Sequence, residues 1–419
     1  MEKLVINGGT KLKGEVSILG AKNSAIAILP ATLLCNGVCT LHNVPNIIDV
    51  RLSCQILESL GSKITWEGPN SLIIDNRNIS RTHASLDLTS KFRASYYLIG
   101  SMLGRCREIE VGLPGGCNLG ARPIDQHIKG FEALGAYSNL SQGKVYCKAQ
   151  NLVGTSIYMD VVSVGATINI LLASVLASGT TTIDNAAKEP HVVDVANFLN
   201  TLGADIRGAG TDLIKINGVK SLKNNVTYSI VPDQIEAGTF MLAAVASKGD
   251  IIIKNCIPEH LDSLISKIIE VGGNVECYGD TIHVWADNRP NKTVIKTLPY
   301  PGFPTDLQPQ MGVVLSLANG TSIINESIWD SRFQYTAELH KMGAHITAQG
   351  KSAIFEGVEQ LYGAPVYATD LRAGAALVIA GIVANGTTEV HNLRHIDRGY
   401  ENIENKFALL GADIKRVIE

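Results

Sequence analysis

A single thiol stands in the most unusual stretch of this chain, Leu113-Pro-Gly-Gly-Cys-Asn-Leu-Gly-Ala-Arg-Pro-Ile-Asp125. Glycines at 115, 116 and 120, with Pro114 and Pro123 bracketing Cys117, suit a mobile lid. Arg122, five positions after Cys117, would lower the thiol pKa and hold an anionic substrate. The alternative is a surface turn with an incidental cysteine. The stretch is not a nucleotide-binding P-loop, since no Gly-Lys-Ser/Thr closes it. Further candidates start six small-residue helices: Lys22-Asn23, Lys91-Phe92-Arg93, Ser163-Val164-Gly165, Asp233-Gln234-Ile235-Glu236, Thr305-Asp306 and Asp370-Leu371-Arg372. Helix N-termini leave backbone N–H groups free, so Ser163, Asp233 and Asp370 also read as ordinary caps. Lys22, Arg93 and Arg372 do not, because the positive end of a helix dipole disfavours a cation. A fold that keeps placing cations there gathers an anion.

The elements that position these groups come from a repeat. An aliphatic residue followed by Gly ends a helix-like run at Gly61, Gly135, Gly203, Gly272, Gly343 and Gly411, a spacing of roughly 70 residues. A second register of glycines, at 37, 104, 179, 249, 320 and 386, closes the small-residue helices and leads into Thr-, Val- or Ile-rich strands. Within the third copy the order reads helix Val164–Ala177, strand Thr180–Asn185, helix His191–Leu202, then a hairpin of Ala204–Gly208 and Asp212–Asn217. Another strand follows before the next helix. The sixth copy ends early, so the N-terminal segment Leu4–Leu19 supplies the strands it lacks. The chain is thus expected to form two lobes, 22–231 with copies one to three and 1–21 plus 232–419 with copies four to six. Crossings near Ala21 and near Ile230 to Pro232 make a natural hinge.

Composition narrows the class. Of 419 residues, 36 Lys plus Arg against 39 Asp plus Glu leave a net charge of −3, which argues against a main business of binding nucleic acid or anionic lipid. The apolar runs fall short of the roughly 18 residues needed to span a bilayer, and the start has no signal-like apolar run. A cytoplasmic location is expected. The eight cysteines, at 35, 39, 54, 106, 117, 147, 256 and 277, show neither disulfide density nor paired metal spacing. Ten scattered histidines give no metal signature either. His127 and His395 are acid–base candidates or, equally, hydrogen-bonding residues of the fold.

Six motifs in order carry a family resemblance that covers the whole chain: Gly20-Ala-Lys22-Asn23, Pro114-Gly-Gly-Cys117-x-x-Gly120-Ala-Arg122-Pro123, Ser163-Val-Gly165-Ala, Phe303-Pro-Thr-Asp306, Ala368-Thr-Asp370-Leu-Arg372 and His395-Ile-Asp-Arg398-Gly-Tyr-Glu401. The chain resembles the UDP-N-acetylglucosamine enolpyruvyl transferases (1-carboxyvinyltransferases) of the EPSP synthase family. The resemblance implies a two-lobed inside-out α/β barrel of six repeats, three per lobe. It also implies enolpyruvyl transfer from phosphoenolpyruvate to the 3-hydroxyl of UDP-N-acetylglucosamine with release of phosphate, without a cofactor, metal, nucleic acid or membrane partner. The oligomeric state stays open.

By the same resemblance Lys22, Arg122 and Arg398 gather the phosphate and carboxylate of phosphoenolpyruvate, with Arg372 and Asp370 nearby. Asp306 would accept the sugar hydroxyl proton, while Cys117 would protonate C3 or form a covalent phospholactoyl adduct. Asn23 would orient substrate. Arg93 and the stretch Arg122, Pro123, Ile124, Asp125 and Gln126 resemble nucleotide and diphosphate contacts. Ser163, Val164, Gly165 and Ile328 resemble the rest of the sugar-nucleotide pocket. Val161 stands where relatives often carry a Lys, removing one cationic contact, and Asp330 stands where a Glu is common. The shikimate-pathway branch shares the architecture but not the Pro-Gly-Gly-Cys lid, and an RNA-end-processing relative would be expected to show a basic face or a nucleotidylated histidine.

Overall fold

The computed structural model describes residues 2–84, 86–90, 93–113 and 123–418; Lys91, Cys117 and Arg122 lie outside them. The chain forms two compact units, one of residues 20–113 and 123–231, the other of 2–19 and 232–418. The division falls between Leu19 and Gly20, two residues before the expected limit. Leu19 is tied to its own unit at both ends of its peptide: its N–H donates to Glu236 Oε2 at 3.1 Å and its carbonyl accepts from Asp233 N at 2.8 Å. Ala21 N instead donates to Val231 O at 2.7 Å.

The third copy shows the plan. Strand Thr180–Asp184 pairs antiparallel with Leu213–Asn217, which pairs with Asp205–Arg207, and the strand Ser156–Tyr158 from the preceding copy lies parallel on the other side. The same four-strand order recurs about Val38–His42, Asp250–Lys254, Thr321–Asn325 and Thr387–His391. Around Glu108–Gly112 the described residues give three strands, with His83 bridging in parallel to Glu110 in the fourth place. The chain ends complete the sixth copy: Glu2–Asn7 pairs with both Thr387–His391 and Asp413–Ile418, and Lys13–Ser17 runs parallel to Asp250–Lys254 of the fourth copy.

Strands bury alternate residues, as in Thr180–Asp184 and Thr387–His391, so each sheet turns one face to the core. The small-residue helices are buried nearly all round, as in Gln234–Ser247 and Leu371–Val383. In the second unit these two and Gln308–Ser316 pack on one another, which sets helices inside and sheets outside. Small side chains permit the close approach. In the first unit Tyr97–Cys106 lies so near Val164–Ser174 that a Cβ on Gly100 would come 2.4 Å from the carbonyl oxygen of Asn169.

The repeat signature has a backbone cause. All six glycines after the aliphatic residue sit at positive φ, from 89° at Gly343 to 116° at Gly61, where other residues are strained. The second register is less uniform. The helix expected to close at Gly104 runs on to Cys106, and Arg107, at φ 64°, makes the left-handed turn.

Candidate active site

In the unit 20–231, Lys22 opens the helix Lys22–Ala31 because Gly20 lets the chain pass close to its neighbour. A Cβ on Gly20 would come 1.7 Å from the Asn43 carbonyl oxygen. The Lys22 ammonium stands 3.1 Å from the buried Asp49 carboxylate, which fixes its direction, and Asn23 beside it is half-buried. Arg93 begins the short helix Arg93–Tyr96 and lays its guanidinium 5.6 Å from the Tyr96 ring centre. His127, on Asp125–Ala133, is buried with its ring 6.0 Å from that of Tyr96. Its Nε2 fills the space above Gly165, where a Cβ would meet it at 2.8 Å. Burial, reinforced by the Arg93 charge and opposed by Asp125, holds the imidazole down at about 4, so it is neutral near pH 7.

The Gln126 amide is consumed by the fold. Its Nε2 donates to Asp160 Oδ2 at 3.1 Å and to Asp125 at 3.0 Å, and its Oε1 accepts Asp160 N at 3.0 Å. This ties Asp125–Ala133 to the loop leading to Ser163, whose Oγ caps Val164–Ser174 by accepting Ala166 N at 3.3 Å. Val161 in that loop is exposed, and Lys129 pairs with Asp160 at 2.7 Å. Pro123, Ile124 and Asp125, with Tyr96, Leu113 and Leu140, line a mainly apolar cleft of about 690 Å³, within the size range of small-ligand sites.

In the other unit Asp306 lies in the short helix Thr305–Leu307 with both carboxylate oxygens taken by buried guanidiniums. Arg372 approaches Oδ2 at 3.0 and 3.1 Å, and Arg332 approaches Oδ1 at 3.3 Å while also donating to Thr305 O at 3.0 Å. Burial is the strongest single influence and works against the Arg372 charge, but Asp306, Tyr400 and Asp233 together outweigh it, so its pKa lies above the ordinary value. Asp370 caps Leu371–Val383 by accepting Arg372 N and Ala373 N at 2.8 and 3.1 Å, and it stands 3.8 Å from Arg332. Asp233 caps Gln234–Ser247 in the same way. The buried Tyr400 hydroxyl joins Arg372 at 3.3 Å to Thr239 at 2.8 Å, while Arg398, two residues earlier, is half-buried on the preceding turn. His395 beside it is held below its ordinary pKa by burial, then by the Arg398 charge. Ile328 hangs from Glu326, whose Oε1 accepts the Ile328 and Trp329 N–H groups at 2.8 and 3.2 Å and whose Oε2 accepts Thr305 Oγ1 at 3.0 Å. Asp330 is exposed and pairs with Lys351 at 2.9 Å.

Asp49, Glu326 and Arg332 are organising residues the sequence reading missed. Asp49 left a faint signal, a carboxylate among apolar residues in the first turn of Ile48–Leu60. Arg332 left none, since its partners lie in other segments, and Glu326 left none that marks its reach to Thr297 and Thr305, although it also accepts the nearby Ile328 and Trp329 N–H groups. Among the described residues no group of three His, Cys, Asp or Glu could hold a metal ion, and no helix is long and apolar enough to cross a membrane.

Known proteins share this arrangement of elements. The family model for EPSP synthase (3-phosphoshikimate 1-carboxyvinyltransferase) matches residues 6–407. The chain is 56% identical over 418 residues to the UDP-N-acetylglucosamine 1-carboxyvinyltransferase of Clostridium botulinum, with 100% of both chains covered. It is 54% identical over 419 residues to UDP-N-acetylglucosamine 1-carboxyvinyltransferase 3 of Caldanaerobacter subterraneus, again with 100% of both covered. Among solved structures it matches the enolpyruvyl transferase NikO from Streptomyces tendae with a TM-score of 0.90 at 26% identity, over 99% of each chain. EPSP synthase from Acinetobacter baumannii shares the fold, with a TM-score of 0.76 at 18% identity over 100% of each chain. The fold is the enolpyruvyl transferase fold, and the chain belongs to the EPSP synthase family, within it to the UDP-N-acetylglucosamine 1-carboxyvinyltransferases.

Proposed function

We propose that the protein transfers the enolpyruvyl group of phosphoenolpyruvate to the 3-hydroxyl of UDP-N-acetylglucosamine, releasing phosphate, in the first committed step of peptidoglycan synthesis. The sugar oxygen bonds to C2 of phosphoenolpyruvate as the hydroxyl proton passes to Asp306, and C3 takes up a proton. The tetrahedral intermediate then loses a C3 proton and the C2–O bond to phosphate breaks, which restores the double bond. Lys22, Arg122, Arg372 and Arg398 offset the charge of phosphoenolpyruvate and of the departing phosphate. Cys117 serves as the acid toward C3 or as the adduct-forming nucleophile. The cleft beside Pro123 to Asp125 takes the nucleotide, with Arg93 toward the diphosphate, while Asn23, Ser163 to Gly165 and Ile328 border the sugar. Asp370 acts through Arg372 and Arg332, and the Gln126 side chain through Asp160. We place the reaction in the cytoplasm, with its phosphoenolpyruvate supply.

The observation that carries this assignment is the Asp306 carboxylate gripped at both oxygens by Arg332 and Arg372. A general base needs a fixed direction toward its proton, and two guanidiniums supply it. Asp306→Asn keeps the shape but cannot take the proton, so turnover falls about 10²- to 10⁴-fold while UDP-N-acetylglucosamine affinity stays within about twofold. Near-normal turnover in this variant reassigns Asp306 to holding the two arginines.

A further inference from the structure

The turn that presents Arg398 is anchored at two points. On the inner side Tyr400 is buried, its N–H donating to Ile396 O at 3.0 Å and its hydroxyl reaching Arg372 and Thr239. On the outer side Asp397 meets Arg416, from the C-terminal strand Asp413–Ile418. The guanidinium donates Nη1 to Asp397 Oδ2 at 3.0 Å and Nη2 to Oδ1 at 2.7 Å, a two-pronged bond with defined geometry. The same side chain donates Nε to Glu404 Oε1 at 2.7 Å, on the helix Ile403–Leu409 that follows the turn, and Nη1 to Glu2 at 3.0 Å. One guanidinium thus grips the chain on both sides of Arg398.

The strand does not need these bonds to stay in place, because it pairs with Glu2–Asn7 from Glu2↔Ile418 to Asn7↔Asp413. We propose that Arg416 is a positioning residue for phosphoenolpyruvate binding, holding Asp397 and Glu404 so that the turn between them presents Arg398. The proposal rests on Arg398 being a phosphoenolpyruvate contact. Without the fork between Arg416 and Asp397 the turn is no longer fixed on its outer side. Arg398 then turns away from the substrate.

The test is a double-variant cycle in the full-length protein, with steady-state phosphate release read against each substrate. Arg416→Met keeps the apolar stem; it raises the KM for phosphoenolpyruvate about tenfold, the scale of one charged contact, and leaves the KM for UDP-N-acetylglucosamine unchanged. Arg416→Lys, which keeps the charge but not the fork, recovers only part of the loss. In an Arg398→Ala background the added effect of Arg416→Met falls below about twofold, because both changes act on one contact. Asp397→Asn gives the same selective pattern and serves should Arg416→Met fail to fold. Additive effects, or equal losses for both substrates, overturn the inference while the reading of Arg398 stands. An Arg398→Ala protein with unchanged phosphoenolpyruvate KM overturns that reading, and the inference with it.

Discussion

Acid sensitivity of the unit 20–231 should rest heavily on one imidazole. His127 is 6% exposed, its Nδ1 has no hydrogen-bond partner among the described residues, and its pKa is about 4 against the ordinary 6.5. Burial is the main cause, with Arg93 adding to it and Asp125 opposing. The unfolded chain takes up a proton near pH 6.5 and the folded one only near 4, so unfolding binds a proton between these values. The stabilising contribution is therefore complete above pH 6.5 and is lost as pH falls toward 4. A separation of about 2.5 units at 1.36 kcal/mol each gives about 3 kcal/mol over the whole window, of which about 2 kcal/mol is lost between pH 7 and pH 5. Trp66 is the one tryptophan of this unit. Replacing Trp285 and Trp329 by phenylalanine lets its fluorescence report urea unfolding of this unit alone. Comparison with His127→Gln in that background subtracts every other titrating group. The unsubstituted histidine should lose about 2 kcal/mol more than the glutamine variant between pH 7 and pH 5. Equal losses, or a His127 proton resonance titrating near 6.5, would refute the argument that burial governs this side chain.

Three further outcomes follow. The epoxide phosphonate fosfomycin, a phosphoenolpyruvate mimic, should add one mass per chain at Cys117, faster with UDP-N-acetylglucosamine present; burial pushes the Cys54, Cys147 and Cys256 thiols up to about 12, 11 and 11, and exposed Cys277 is also raised, by burial and then by Glu259 and Asp262, so peptide mass spectrometry finding the label on any of these contradicts the account. Lys22→Ala should weaken phosphoenolpyruvate affinity about tenfold or more by calorimetry while nucleotide-sugar affinity changes little, because one cation of the anion site is lost; unchanged phosphoenolpyruvate affinity would remove Lys22 from the site. Gly100→Ala should cost about 1–3 kcal/mol in Trp66-monitored unfolding, because the new Cβ meets a backbone carbonyl that has no side-chain freedom to yield; an unchanged midpoint would mean the two helices separate freely.

What could be read from the sequence was whatever a local rule imposes. The six aliphatic-Gly turns mark the copies because each needs positive φ, and that need is written in one residue. The missing strands of the sixth copy could be assigned to the N-terminus because a sheet cannot leave a hairpin half made. The extended end of Tyr97–Cys106 was harder to see, since Arg107 takes the left-handed turn that glycine takes elsewhere. The charged residues at the helix starts were visible, but not their partners. Arg372 finds Asp306 across 66 positions, and Glu236 meets Lys406 across 170. Such pairings depend on how the copies stack, which no local pattern encodes. Asp370 and Asp233 show the reverse: read alone they are caps, and caps they are, yet Asp370 also faces Arg332.

The central claim concerns which acceptor receives the enolpyruvyl group, and phosphate release measures it directly. Purified protein mixed with phosphoenolpyruvate should release phosphate when UDP-N-acetylglucosamine is added, in step with formation of the enolpyruvyl nucleotide sugar, and should release none with shikimate 3-phosphate. Release with shikimate 3-phosphate, or its absence with UDP-N-acetylglucosamine, would contradict the account.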